Sequence, residues 1–269
     1  MSQYDQRSSI MPFVSRRYRA EKAIQVCLLC MVMYMPYISF AEELTAIDLT
    51  YMAEDYPPAN YLDEGELKGA SIEILKLIWK KLKVPEQKIN IVPWARGYRE
   101  LQKNKNTVLF SMSRTENREN LFKWVGPIFS ARHVLIGLKK NNFDISSLEN
   151  CKKYKIGTIR DDIGEKVLID AGFEQDKLES VTRLDQNVRK LLTGRVDLIS
   201  QSEDSVNKYI ALHKLDPELF TMYFVINEKF NYYAFNKETP DSLIEQFQMA
   251  LDSLKKERNE IIKKYKMHQ

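Results

Sequence analysis

Apolar residues along the chain fall into short blocks, separated by stretches in which they recur every three or four positions. The blocks at 44–52, 89–92, 108–112, 133–138, 154–159, 196–200, 222–226 and 232–236 predict strands. Between them, Ile72, Leu75, Ile78, Trp79 and Leu82 recur at helical spacing. So do Val188, Leu191 and Leu192, and then Leu243, Phe247, Ala250, Leu251 and Leu254. Strand and helix alternate, which predicts an α/β protein with parallel sheets covered by helices. The segment 139–150 is polar and has no apolar period, and predicts a connection between two α/β units with a boundary near residue 138.

Helix starts carry their own signals. Thr239-Pro240 predicts one, with Thr as the cap and Pro in the first helical position. Asp162 and Glu165, just after the strand at 154–159, have the spacing of a capping box, as do Ser113 and Glu116 after the strand at 108–112. Two strands thus run into capped helix starts, the place where open α/β sheets bind ligands.

The first 41 residues stand apart. Arg16, Arg17, Arg19 and Lys22 precede an apolar run at 23–40 that ends in Ser39-Phe40-Ala41, the pattern of a secretory signal cut after Ala41. The alternative is an uncleaved membrane anchor, since the run approaches the ~20 residues that span a bilayer, but it holds Gln25 and ends at a good cleavage site. Cleavage would leave 228 residues with 36 basic and 35 acidic side chains, a net charge of +1 that gives no support to a nucleic-acid or membrane-surface partner. Cys27 and Cys30 would leave with the signal, so Cys151 would have no partner for an internal disulfide. Export without a disulfide framework predicts a bacterial periplasmic protein, and 228 residues are enough for one large domain or two lobes.

The segment 111–128, SMSRTENRENLFKWVGPI, holds the candidate chemistry. With Ser113 as cap, the first-turn N–H groups, the hydroxyls of Ser111 and Ser113 and the Arg118 guanidinium together suit a carboxylate. The same string also reads as a solvated charge run, and Arg114 is assigned to solvent in either case.

Four motifs in order give this chain a resemblance to the family 3 extracellular solute-binding proteins, the periplasmic receptors of polar amino-acid ABC importers. They are Tyr56-Pro57-Pro58 followed by the amphipathic stretch 63–82, then Pro93-Trp94 leading a helix, then Ser111, Ser113, Thr115, Arg118, Phe122 and Pro127, and lastly Gly194-Arg195-Val196-Asp197. The resemblance implies that Arg118 clamps a ligand carboxylate with Ser111 and Ser113, that Tyr56 stacks on the ligand and that Trp94 lines the same wall. Tyr61 and Arg96 are further candidates as an aromatic and a second cation near the mouth. The chain departs from the family pattern at Asp161-Asp162-Ile163, where Gly-Thr-Thr is usual, and at Gln201-Ser202, where Gln-Asp usually meets the ligand ammonium. Carboxylate binding carries over, ammonium binding does not, and Asp161 or Asp162 either supplies the missing charge or caps a helix.

An enzyme of the same fold, such as a cyclohexadienyl dehydratase, is the rival class. His133 and His213 have no partners at metal spacing, no hydrolase or phosphate-loop motif is present, and Glu54 and Asp55 would face opposite sides of a strand. The expectation is therefore a monomeric type II periplasmic binding protein with no enzyme activity, no cofactor and no metal. Its first lobe is expected at 42–135 and 229–269 and its second at 136–228, with crossings at 133–138 and 227–233. It is expected to deliver a small carboxylate-bearing solute to an inner-membrane ABC permease. The alternative to delivery is a sensor without its own permease.

Overall fold

The computed structural model describes residues 45–268; the expected signal and its cleavage site lie outside them. One mixed sheet of eight strands carries the fold. Its order is β4 (Ile89–Ile91), β1 (Thr50–Ala53), β5 (Thr107–Ser113), β10 (Phe220–Asn236), β6 (Phe122–Leu138), β9 (Leu198–Ser202), β7 (Ile156–Ile159) and β8 (Leu178–Val181). A hairpin of β2 (Tyr61–Asp63) and β3 (Glu66–Lys68) stands apart.

The parallel pairing predicted from the alternation of elements holds at the two ends, β4-β1-β5 and β9-β7-β8. The centre corrects it. There β6 and β10, each 17 residues long, run antiparallel to each other and to β5 and β9. The apolar blocks at 133–138, 222–226 and 232–236 are pieces of these two strands. Between the ends Ser130, Ala131 and Arg132 pair with Phe230, Lys229 and Glu228. Pairing with β5 begins only at Asn231 and pairing with β9 only at His133, so the sheet narrows here to a two-stranded ribbon. Residues 133–137, expected at the first crossing, are flanked on both sides and lie in the β9 half. Register shifts at Val225/Asn227 and Asn231/Tyr233 bracket the ribbon, where an extra residue lets a strand bend.

Each end of the sheet has its own apolar core. On one, α1 (Ala70–Lys81) and α7 (Asp241–Asp252) bury Ile72, Leu75, Ile78, Trp79, Leu243 and Phe247 against Tyr51, Phe110 and Phe235. The helix α8 (Lys255–Lys264) closes the same core with Ile262. On the other, α5 (Leu184–Leu192) and α6 (Glu203–Leu212) cover one face with Val188, Leu191, Val206 and Ile210. Its opposite face is covered by Leu168 of α4 (Ile163–Asp170). Full burial of one such side chain is worth about 1.5–3 kcal/mol, so apolar spacing decides the helix faces. Leu192 is the exception, 40% exposed on the rim of α5. The segment 139–150 is more than a linker, because Phe143, Ile145 and Leu148 pack on this second core.

Several predicted starts shift. The front of the block at 44–52 is a 3-10 turn, Ala46–Asp48, boxed by Thr45 and Asp48. Pro240 itself takes the cap position of α7, and Thr239 makes no capping bond. Gly69, with φ +130°, brings the chain so close to the Ala59 carbonyl that any Cβ would overlap it. No described helix is long and apolar enough to cross a membrane.

Candidate functional site

The chain turns at the carboxyl ends of the parallel strands bring the expected residues together from both halves of the sheet. Glu54-Asp55-Tyr56 leaves β1, Trp94 opens α2 (Trp94–Lys103) just after β4, and Arg118 lies in α3 (Glu116–Glu119) after β5. From the other half, Asp161-Asp162 leaves β7 and Ser202 ends β9.

Arg118 is the centre of the cluster, 2% exposed. Its guanidinium lies 5.3 Å from the ring centres of both Trp94 and Tyr98, one turn apart on α2. Nη1 donates to the Ser113 carbonyl (3.3 Å) and Nη2 to the Asp161 carbonyl (3.4 Å). The Trp94 indole N–H donates to the same Asp161 carbonyl at 2.9 Å. Lys166 of α4 sits over the Tyr98 ring, the Tyr56 hydroxyl lies against Ser202, and Ile159 packs in the cluster of Trp94 and Leu109. The two halves are therefore in contact around Arg118.

Carboxylates outnumber cations here. Asp162 faces the imidazole of buried His133 at 3.6 Å. Burial pushes the Asp162 carboxyl up, but His133 and Arg118 outweigh it and hold the group below its ordinary range. Glu54 behaves oppositely. Burial first, then the charges of Asp162 and Asp55, hold it well above the ordinary range, with Arg118 as the opposing charge. Burial likewise raises the Tyr56 phenol. Beside Glu54 lies a cavity of about 260 Å³, whose lining includes Asp55, Pro93, Ile159, Arg183 and Gln201. Among the described residues no group of three His, Cys, Asp or Glu side chains is placed to hold a metal ion.

Arg118, Tyr56, Trp94, Asp162 and Ser202 thus stand together, but other assignments change. Ser111 faces away, its hydroxyl bonded to Asn60 Oδ1 and to Ser71 Oγ (2.9 Å). The cause is a bulge: Phe110 pairs with Tyr233 and Met112 with Tyr232, which leaves Ser111 as the extra residue at φ +63°. Ser113 is no helix cap. It belongs to β5, its hydroxyl approaches Asn231 Oδ1 at 3.4 Å, and α3 starts from Thr115 without a side-chain cap. Its contribution to the site is the carbonyl that holds Arg118. Asp161 also acts through its carbonyl, with an exposed side chain and φ +61°. The expected box at Asp162 is displaced by one residue, since Glu165 accepts from the Asp161 N–H at 2.7 Å.

Two further candidates lie elsewhere. Arg96 is on the exposed side of α2, paired with Glu100 at 3.2 Å in a surface i,i+4 bridge. Tyr61 is buried under Lys208 and lines a second cavity of about 790 Å³ with Tyr265, one whose lining includes neither Arg118 nor Trp94. Arg114 is not simply solvated. Glu119 holds it through two bonds of 2.7 and 2.5 Å, and its guanidinium lies 5.7 Å from the Trp124 ring and 5.3 Å from the Tyr232 ring. Sequence reasoning missed Tyr98, although its i+4 relation to Trp94 was visible, and His133, whose link to Asp162 spans distant chain segments with no local signal.

A fold with two cored halves joined by a ribbon, and a buried arginine where they meet, is that of a bilobed binding protein. The family model for bacterial extracellular solute-binding proteins, family 3, matches residues 50–268, and the chain belongs to that family. Among solved structures, a mutant of ArgBP from T. maritima superposes with a TM-score of 0.72 at 20% identity, covering 81% of this chain and 95% of that one. A histidine kinase sensor domain with similarity to periplasmic binding proteins gives 0.71 at 20% identity, covering 80% and 95%. The amino acid ABC transporter substrate-binding protein AbpA from Streptococcus pneumoniae, bound to L-arginine, gives 0.68 at 20% identity, covering 81% and 94%. At such identities the likeness establishes the fold. No curated protein sequence matches the chain.

Proposed function

We propose that this protein captures a small carboxylate-bearing solute, an amino acid or a relative, outside the cytoplasmic membrane and presents it to an ABC importer. The observation that carries the reading is Arg118, a buried guanidinium held between two aromatic rings and two main-chain carbonyls where the halves meet. Its hydrogen bonds go to neutral carbonyls, with Asp162 and Glu54 near it as charges but not bonded to it, and a solute carboxylate supplies a planar, bidentate partner. Two lobes meeting at the ribbon near Ser130–Arg132 would separate and close over the solute, with the Asp161 carbonyl as the contact made only on closure. Closure of this kind is a two-state change that a permease can read. The tyrosine and tryptophan positions named above supply the walls, and a single copy of the chain suffices for the site.

Thermal-shift screening of the purified protein against amino acids, opines, dicarboxylates and polyamines, followed by the carboxamide of each hit, tests this. At least one carboxylate should raise Tm, and its amide should not. Stabilisation by amines alone would overturn the reading. Likeness to a histidine kinase sensor domain favours a second role for the same capture, signalling to a membrane receptor. A permease gene beside this one supports delivery, and a receptor gene supports signalling.

A further inference from the structure

The residues that follow α8 lie beside the ribbon and touch both halves of the fold. Lys266, at φ +55°, reverses the chain. Met267 then turns back into the first core, 8% exposed, with its N–H bonded to the Ile262 carbonyl at 3.1 Å. His268 pairs with the ribbon itself, its carbonyl accepting from the Ser130 N–H at 3.2 Å. Its imidazole reaches the other half, where Nε2 lies 3.6 Å from Glu203 Oε2 and 3.7 Å from Asp204 Oδ1 at the start of α6.

These two acids differ in what already holds them. Glu203 receives Arg132 of β6 through bonds of 2.8 and 2.5 Å. Asp204, its side chain 10% exposed, has no hydrogen-bond partner at Oδ2. Burial pushes its carboxyl up, and His268 is the first charge opposing that shift. Other charges stand around the pair: Glu228 of β10 faces the Ser130 hydroxyl at 3.3 Å, and Lys266 and Lys208 line the cavity of about 790 Å³ with Asp204. Lys208 sits over the Tyr61 ring instead, and among the described residues His268 is the cation within 4 Å of Asp204.

We infer that this tail is a proton-dependent brace across the hinge: a charged His268, anchored on one half by Met267 and the Ser130 bond, holds Asp204 and Glu203 of the other and keeps the two halves closed. At 3.6 and 3.7 Å a neutral imidazole makes no hydrogen bond to either carboxylate, so the hold depends on the charge. Histidine changes charge between about pH 5 and 8, so the brace engages as pH falls through that range and lets go as pH rises. At more acid pH the buried Asp204 carboxyl takes a proton of its own and the attraction is lost. The hold is therefore greatest in a mildly acidic window, whatever group Arg118 receives.

Hydrogen exchange at the Ser130 amide of the purified, ligand-free protein, corrected for the intrinsic rate, reads the docked tail, and small-angle scattering reads the lobe angle. Wild type at about pH 6 should be more compact than at about pH 8 and protect Ser130 about two- to fivefold more, the size expected of a half-exposed ion pair. His268→Gln should behave at both pH values as wild type does at the higher one. His268→Arg, with a permanent charge, should stay protected and compact at both. Asp204→Asn should flatten the response and leave Arg132 paired with Glu203. Equal protection and equal dimensions at the two pH values in wild type, or a response that survives in His268→Gln, would overturn the inference.

Discussion

Trp94→Phe isolates the contact that joins the two halves. The substitution keeps a ring beside Arg118 but removes the N–H that donates to the Asp161 carbonyl at 2.9 Å. That carbonyl then retains only Arg118 Nη2, at 3.4 Å. Loss of one of two hydrogen bonds to this part-buried carbonyl costs about 1 kcal/mol. The loss falls on the closed arrangement alone, since an open site would give the same carbonyl to water. The closed population should fall roughly fivefold relative to the open one, and ligand affinity should fall with it. Calorimetry reads the affinity, and small-angle scattering reads the compaction on adding ligand. Trp79→Phe is the control, because Trp79 lies in the core of one half, stacked edge-on with Tyr51 at 4.9 Å. An affinity for the Trp94→Phe protein within about twofold of wild type would refute the idea that this bond is made on closure.

Two other outcomes follow from the charges. A carboxyl whose folded pKa is raised holds its proton while the unfolded chain has already lost its own, so Glu54 removes stability as pH rises through and above the ordinary carboxylate range. Glu54→Gln should therefore raise the Tm of the ligand-free protein at neutral pH, by about 2–4 °C for each kcal/mol relieved, and leave it unchanged at acid pH. Arg114→Ala should cost about 1–2 kcal/mol, the sum of a half-exposed ion pair and two cation–π contacts, seen as a drop of roughly 2–8 °C in Tm with ligand affinity intact.

The parts of this fold that showed in the sequence are those where burial dictates residue type. The faces of α1 and α7 and the buried strand β5 announced themselves because each apolar residue has one inward direction. The first half of β6 did not. Phe122–Leu138 opens with mixed residues and contains Gly126-Pro127, which reads as a break. The strand tolerates Pro127 because it falls in the gap between the Val125–Tyr233 and Phe129–Asn231 pairs, where no ladder N–H is demanded. The site divides in the same way. That Arg118, Tyr56 and Trp94 stand together was legible because four motifs appear in one order, and the three that hold these residues lie just past strand ends. Ser111 was misread because one extra residue in β5 reverses its direction, and no composition rule reports a bulge. Glu54 was visible only as half of an adjacent acidic pair. What distinguishes it from exposed Asp55 is its deeper position beside Asp162 and Arg118, which depends on the second half of the fold.

Arg118→Ala is the most direct test of carboxylate capture. Calorimetry should be run on wild type and variant with the tightest-binding amino acid and with its carboxamide, alongside circular dichroism to confirm folding. Losing one partner of a buried charge pair costs about 2–5 kcal/mol, so the acid should bind the variant at least about 30-fold more weakly, no better than the amide binds wild type. A folded Arg118→Ala protein that binds the acid as tightly as wild type would contradict capture of the carboxylate by Arg118.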